Sequence, residues 1–190
     1  MTAVRIAEAH GPLQFPITTE PEIALAGRSN VGKSSLLNAL CGHEKLARVS
    51  KTPGRTRALH FFKTNAGLTL VDFPGYGFAK GPNEHRGEWQ TLIEAYLTGR
   101  KQCKAVCVLV DSRHEPSADD KGLFDWLNSL NMHAICVATK ADKLSGNEKT
   151  NSSKVLTKIL KLNHKPIFFS SIDGQGREEL VVTMKKLAGK

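Results

Sequence analysis

The chain has 190 residues, 27 Lys and Arg against 18 Asp and Glu for a formal net charge of +9, and 40% apolar residues. That length suits one substantial core, and the composition excludes both a polar disordered chain and an apolar run of about twenty residues able to cross a membrane as a helix. The positive excess is more than one small anionic ligand would balance, and it raises affinity and encounter rate for a polyanion.

Met1 to Gly11 carries charges and no long apolar segment, so no secretory signal is expected and the cytosol is the expected compartment. Residues 1–20, punctuated by Pro12 and Pro16, read as a leader packed on or flanking a domain over 21–190. Glu22 to Ala26 predicts a buried strand. Directly after it, Gly27-Arg28-Ser29-Asn30-Val31-Gly32-Lys33-Ser34 is a complete G-x-x-x-x-G-K-S, followed by a helical run that should stop near Gly42. Glycines let successive backbone N–H groups turn inward around a phosphate, and the new helix adds its unpaired N–H groups and positive end. In such a loop Lys33 reaches the outer phosphates and the Ser34 hydroxyl completes the shell of a bound Mg2+.

Between Glu44 and Arg57 the sequence turns polar and basic, with Lys45, Arg48, Lys51, Arg55 and Arg57 around Pro53-Gly54. Its place after the phosphate-loop helix predicts a nucleotide-sensing loop. Ala58 to Thr64 and Leu68 to Val71 predict two strands joined through Asn65-Ala66-Gly67. The second delivers Asp72-Phe73-Pro74-Gly75 to a strand's carboxyl end, where open α/β sheets bind ligands. There Asp72 would hold Mg2+ through a water and the Gly75 N–H would contact the last phosphate of a triphosphate.

Glu84 to Leu97 predicts a helix with Trp89, Leu92, Ile93 and Tyr96 on its apolar stripe, and Lys104 to Val110 a strand buried on both faces. The strand ends in Asp111-Ser112-Arg113-His114, in which His114 reads as a local loop residue, and Ser117 to Asn131 predicts the next helix. Cys41, Cys103, Cys107 and Cys136 show no C-x-x-C pair and fit reduced, buried thiols.

Ala134 to Ala138 predicts a further strand, which delivers Thr139-Lys140-Ala141-Asp142. An aspartate carboxylate accepts two parallel hydrogen bonds from the ring N–H and exocyclic amine of guanine while a lysine stem covers the ring, and adenine offers an acceptor where guanine offers the ring donor. Asn147 to Leu162 reads as a helix with Lys149, Lys154, Lys158 and Lys161 on its wetter face, Pro166 to Phe169 as the last strand, and Gly176 to Leu187 as the closing helix. Strands alternating with helices predict a three-layer α/β domain.

On these segments the chain resembles the translation-factor-like GTP-binding proteins, and more closely the bacterial ribosome-biogenesis GTP-binding family formerly described as cell-division or septation GTPases. The resemblance covers roughly Pro21 to Leu187. Gly27 to Ser34 matches the phosphate loop, and Thr52-Pro53-Gly54-Arg55-Thr56-Arg57, leading into Ala58, matches the first switch, with Thr56 as the threonine that ligates Mg2+ and senses the terminal phosphate. Asp72-Phe73-Pro74-Gly75-Tyr76-Gly77 matches the second switch, Thr139-Lys140-Ala141-Asp142 the guanine segment, and Phe169-Ser170-Ser171 the loop that backs the base.

The resemblance implies a mostly parallel sheet of six strands with one antiparallel, helices on both faces, and slow hydrolysis of GTP to GDP in a cytosolic, monomeric protein. It also implies association with the large ribosomal subunit or its precursor through a basic surface that meets ribosomal RNA, without a membrane. Lys33, Thr56 and Gly75 become the catalytic set and Ser34, Thr56 and Asp72 the Mg2+ set. Asn30 matches an asparagine that holds K+ in related potassium-stimulated GTPases, or it merely shapes the loop. Arg55 and Arg57 supply charge to the phosphates or face RNA. Tyr76 stands where Ras-like enzymes carry a water-orienting Gln. Threonine at 139, where many GTPases carry Asn, is expected to lose an amide that ties the base loop to the phosphate loop. The alternatives are a cell-division or signalling GTPase with a protein partner, and a P-loop ATPase or kinase.

Overall fold

In the computed structural model, which describes residues 1–42, 46, 58–76 and 84–189 (the backbone alone for 84–89), seven strands form one sheet. They are β1 (Ala3–Ala9), β2 (Glu22–Gly27), β3 (Leu59–Thr64), β4 (Thr69–Asp72), β5 (Cys103–Asp111), β6 (His133–Thr139) and β7 (Ile167–Phe169), in the order β1-β3-β4-β2-β5-β6-β7. Pairs from β4 through β7 are parallel, and β3 is antiparallel to both neighbours, so β3 alone runs against the rest. The α/β class and the single reversed strand are as expected, and the leader supplies a seventh strand beyond the six predicted. Its large apolar residues Val4 and Ile6 are exposed while Ala3 and Ala9 are buried. An edge strand held by its backbone ladder and small inward alanines leaves no strong hydrophobic alternation to read.

The helices are α1 (Lys33–Cys41), α2 (Glu84–Gly99), α3 (Ala118–Ser129), α4 (Gly146–Ile159) and α5 (Arg177–Leu187). The two-residue period of the central strands sorts them to two faces. Ile23 and Leu25 of β2 with Cys107 and Leu109 of β5 pack against Leu36, Leu37 and Leu40 of α1 and Leu180 and Met184 of α5. Ala24 and Ala26 with Val106, Val108 and Val110 pack against Leu92, Ile93 and Tyr96 of α2, Phe124 and Leu127 of α3, and Leu156 of α4. Each fully buried Leu or Phe in these layers contributes about 1.5–3 kcal/mol.

Local chemistry sets the helix ends. Ser117 and Ser145 form capping boxes with Asp120 and Glu148, satisfying the first N–H groups of α3 and α4. The Arg177 guanidinium donates to the carbonyls of Ala39 and Leu40, tying the end of α1 to α5. At the amino end of β2 the fully buried Glu22 carboxylate accepts from Thr18, Tyr96 and Arg100, and Arg100 also donates to the Pro16 carbonyl. That network pins the leader and α2 to the sheet at the end opposite the G-x-x-x-x-G-K-S loop.

Candidate functional site

The carboxyl ends of β2, β4, β5, β6 and β7 carry every sequence-predicted segment among the described residues. After β2 the loop turns through Asn30 (φ 64°) and Gly32 (φ 108°), and the Leu36 N–H bonds the Gly32 carbonyl at 2.8 Å as α1 begins. A side chain at Gly32 would be strained at that φ. Successive N–H groups in a turn with such left-handed residues can face one way and favour an anion. Lys33 forms an ion pair with Asp72 at the end of β4, both side chains being largely buried. Ser34, in the first turn of α1, is half-buried.

The segment after β4 is stitched to this loop. Phe73 N–H donates to the Leu25 carbonyl at 3.0 Å, Tyr76 N–H to Gly27 at 3.3 Å, and Ser29 N–H to Tyr76 at 3.0 Å. Gly75 lies so close that a Cβ there would sit 3.0 Å from Ser29 Oγ and 3.1 Å from Ser29 N. Phe73 is buried, Pro74 half-buried and Gly75 exposed. The predicted second switch therefore meets the phosphate loop through backbone at Gly75, where any larger residue would push them apart.

The base loop is tied in as well: Thr139 lacks the amide, as expected, and its hydroxyl makes the tie instead. Its buried hydroxyl lies 2.8 Å from the Val31 carbonyl and 3.0 Å from that of Val110. A side chain shorter than Asn suffices because β6 ends beside the phosphate loop. Lys140 takes a left-handed φ of 61°, turning the chain into a 3-10 turn over Ala141–Lys143. Its ammonium donates to Asp111 Oδ2 at 2.8 Å and to the Asn30 carbonyl at 3.3 Å. Ala141 is fully buried under the turn, and Asp142, 14% exposed, has Lys143 Nζ at 3.3 Å. Phe169 at the end of β7 and Ser170 after it are buried, and Ser170 Oγ accepts from the N–H groups of Ile172 and Asp173, while Ser171 is exposed.

Asp111, at the tip of β5, carries no distinctive sequence signal, since an acid at a strand end is common. Burial acts to raise its carboxyl, but hydrogen bonds from Arg113 and Lys140 outweigh it and hold the group well below the usual carboxylate range.

The family described as 50S ribosome-binding GTPase matches residues 22–140. Probable GTP-binding protein EngB of Clostridium beijerinckii is 49% identical over 170 residues, covering 88% of this chain and 86% of its own length. The protein of the same description from Pelotomaculum thermopropionicum is 45% identical over 97% of this chain and 94% of its own. The chain belongs to the EngB family of GTP-binding proteins. A crystal structure of a probable GTP-binding protein EngB superposes with a TM-score of 0.73 at 25% identity, covering 88% of this chain and 98% of that one. Era, solved with MgGDPNP and a segment of 16S ribosomal RNA, shares the fold with a TM-score of 0.66 at 23% identity, over 90% of this chain and 57% of its own.

This EngB-family chain is thus a GTP-binding and GTP-hydrolysing enzyme. Within the EngB frame Tyr76 acquires a definite place. Its ring is buried, and its hydroxyl donates to Asp120 Oδ1 at 2.8 Å while Asp120 Oδ2 closes the α3 cap. Burial, reinforced by the Asp120 charge, pushes the phenol far above its ordinary range, so it stays protonated. Gly54, Arg55, Thr56, Arg57 and Gly77 lie outside the described residues, as do Lys45, Arg48 and Lys51 and the Trp89 side chain, while Ala58 is fully buried just before β3. His114 is exposed, with its N–H on the Asp111 carbonyl at 3.2 Å, as a loop residue should be. All four cysteines are free and buried. No helix among the described residues is long and apolar enough to cross a membrane.

Proposed function

We propose that this enzyme is a slow, partner-dependent GTP switch of the cytoplasm that serves assembly of the large ribosomal subunit. The observation that carries the proposal is the convergence of Gly27–Ser34, Asp72–Tyr76 and Thr139–Asp142 at one end of the sheet, joined by the Ser29–Tyr76 and Thr139–Val31 hydrogen bonds. The family's description as ribosome-binding, together with the net charge of +9, supports a ribosomal partner met through ribosomal RNA.

In this reading the amides of Arg28 to Ser34 cradle the phosphates, and Lys33 exchanges Asp72 for the outer phosphate oxygens. Mg2+-bound GTP and GDP are typical of this superfamily, and the hard oxygens of Ser34 and Asp72 fit such an ion. Its remaining ligands would be oxygens of phosphate and water, with the Thr56 hydroxyl. When bound, the ion neutralises charge on the phosphates. The Gly75 N–H and Thr56 sense the terminal phosphate, Asp142 reads guanine, the Lys140 stem covers its ring, and Phe169 to Ser171 back it. In the same reading Asn30 offers its amide oxygen to K+, beside the charge that develops on the phosphates.

Tyr76, engaged with α3, supplies no water-orienting amide, so hydrolysis by the free protein is slow and a partner or a cation completes the site. Loss of the terminal phosphate removes the bond that holds Thr56 and Gly75, and the basic docking surface lets go. Measuring GTP turnover in K+ and in Na+, each with and without large ribosomal subunits, tests this reading. The fastest rate is expected with K+ and subunits together, and equal rates in all four conditions would remove both activators.

A further inference from the structure

Asp111 lies outside every segment to which a nucleotide role has been given, yet it touches the base loop. Across the parallel β5/β6 pair it sits opposite Thr139, which brings its carboxylate beside the first residue of the turn that carries Asp142. Arg113 fixes the plane of that carboxylate: its backbone N–H reaches Oδ1 at 3.1 Å, its Nε reaches Oδ1 at 2.9 Å, and its Nη2 reaches Oδ2 at 2.8 Å. Oδ2 is left aimed at Lys140 Nζ, also at 2.8 Å, and Lys140 reaches on to the Asn30 carbonyl. A chain of charge-assisted bonds therefore runs from the tip of β5 through the base loop to the phosphate loop.

A lysine stem has four rotatable bonds and loses much rotamer freedom when it is laid over a ring. Its ammonium can be fixed only from the tip, and the Asn30 carbonyl alone is a long, single contact. From this geometry we propose that Asp111 is a positioning residue for guanine nucleotide binding: it anchors the Lys140 ammonium so that the stem is already laid out where the base stacks, with Arg113 as the clamp on the carboxylate. The inference rests on the reading of Thr139 to Asp142 as the base loop. It adds that part of the affinity is set by preorganisation from β5.

Binding of GDP and of IDP, which lacks the exocyclic amine, separates the two ideas. Asp111→Asn keeps size and fold but removes the charge, and it should weaken GDP and IDP alike by about tenfold, the scale of one hydrogen bond between charged groups. Arg113→Ala, at a side chain 40% exposed, should give a smaller loss in the same direction without affecting the fold. Lys140→Met should match Asp111→Asn, and the double variant should be no weaker than Lys140→Met alone. Additive losses, or a GDP affinity in Asp111→Asn equal to that of the parent protein, would overturn the proposal. Asp142→Ala tests the underlying reading separately, because it should abolish the preference for GDP over IDP, and a preserved preference would sink the base-loop assignment whatever Asp111 does.

Discussion

The Tyr76 hydroxyl donates to Asp120 Oδ1 at 2.8 Å, fastening the residue after Gly75 to the first turn of α3. Because the Tyr76 backbone is simultaneously bonded to Gly27 and Ser29, one residue links the phosphate loop to a helix on the other side of the second switch. Tyr76→Phe keeps the ring and deletes only the bond to a buried carboxylate. The expected loss is about 1.5–3 kcal/mol of unfolding free energy in urea, and an unchanged midpoint would show that the bond is replaced by water.

The Thr139 hydroxyl is the tie between base loop and phosphate loop. Thr139→Val preserves shape and removes the donor, leaving the buried Val31 carbonyl short of a partner. GDP should bind about tenfold more weakly by calorimetry, while Thr139→Ser retains most of the affinity. Equal affinities in all three proteins would contradict the tie.

Gly75→Ala places a methyl 3.1 Å from the backbone nitrogen of Ser29, which cannot swing aside as the Ser29 hydroxyl can. Overpacking of this kind costs about 1–3 kcal/mol. The Ser29 amide should exchange its hydrogen faster as its bond to Tyr76 lengthens, and GTP turnover should fall. Unaltered exchange at Ser29 would mean that the two segments separate freely without Gly75.

Arg100→Met strands the Glu22 carboxylate, fully buried, without its charged partner. Destabilisation of about 3–5 kcal/mol is expected, and much of it should return in the double variant with Glu22→Gln. Nucleotide affinity should stay unchanged under native conditions, since the network sits at the amino end of β2. A loss of GDP binding in fully folded Arg100→Met would show coupling along the strand.

Burial holds the Cys41 thiol up at about 11 and those of Cys103, Cys107 and Cys136 at about 12, from an ordinary value of 9.0. Above pH 9 the unfolded chain releases these protons while the folded one keeps them. Stability is therefore fully present below about pH 9 and declines through about pH 12. Urea titrations across that range should show a steeper decline for the parent protein than for Cys107→Ala, and parallel curves would place ionisation elsewhere.

The described segments that meet at the candidate site were legible in the sequence because loops at strand ends carry local signals. Gly27 to Ser34, Asp72 to Gly75 and Thr139 to Asp142 each lie at a strand end that hydrophobic runs alone could place. What escaped was long-range or compensated. The strand Ala3–Ala9 is held by a backbone ladder and turns Val4 and Ile6 outward, so its pattern is weak. Asp111, Asp120 and Glu22 look like ordinary acids in the sequence, and their long-range partners Lys140, Tyr76 and Arg100 stand 29, 44 and 78 residues away in the chain. That the Thr139 hydroxyl replaces an amide is visible only in the fold, which brings the end of β6 close to the Val31 carbonyl.

The central claim, a GTP-driven switch on the large ribosomal subunit, is tested most directly by co-sedimenting the protein with large subunits in the presence of a non-hydrolysable GTP analogue or of GDP. Near-stoichiometric retention is expected with the analogue and release with GDP. Retention with GDP as tight as with the analogue would contradict that claim.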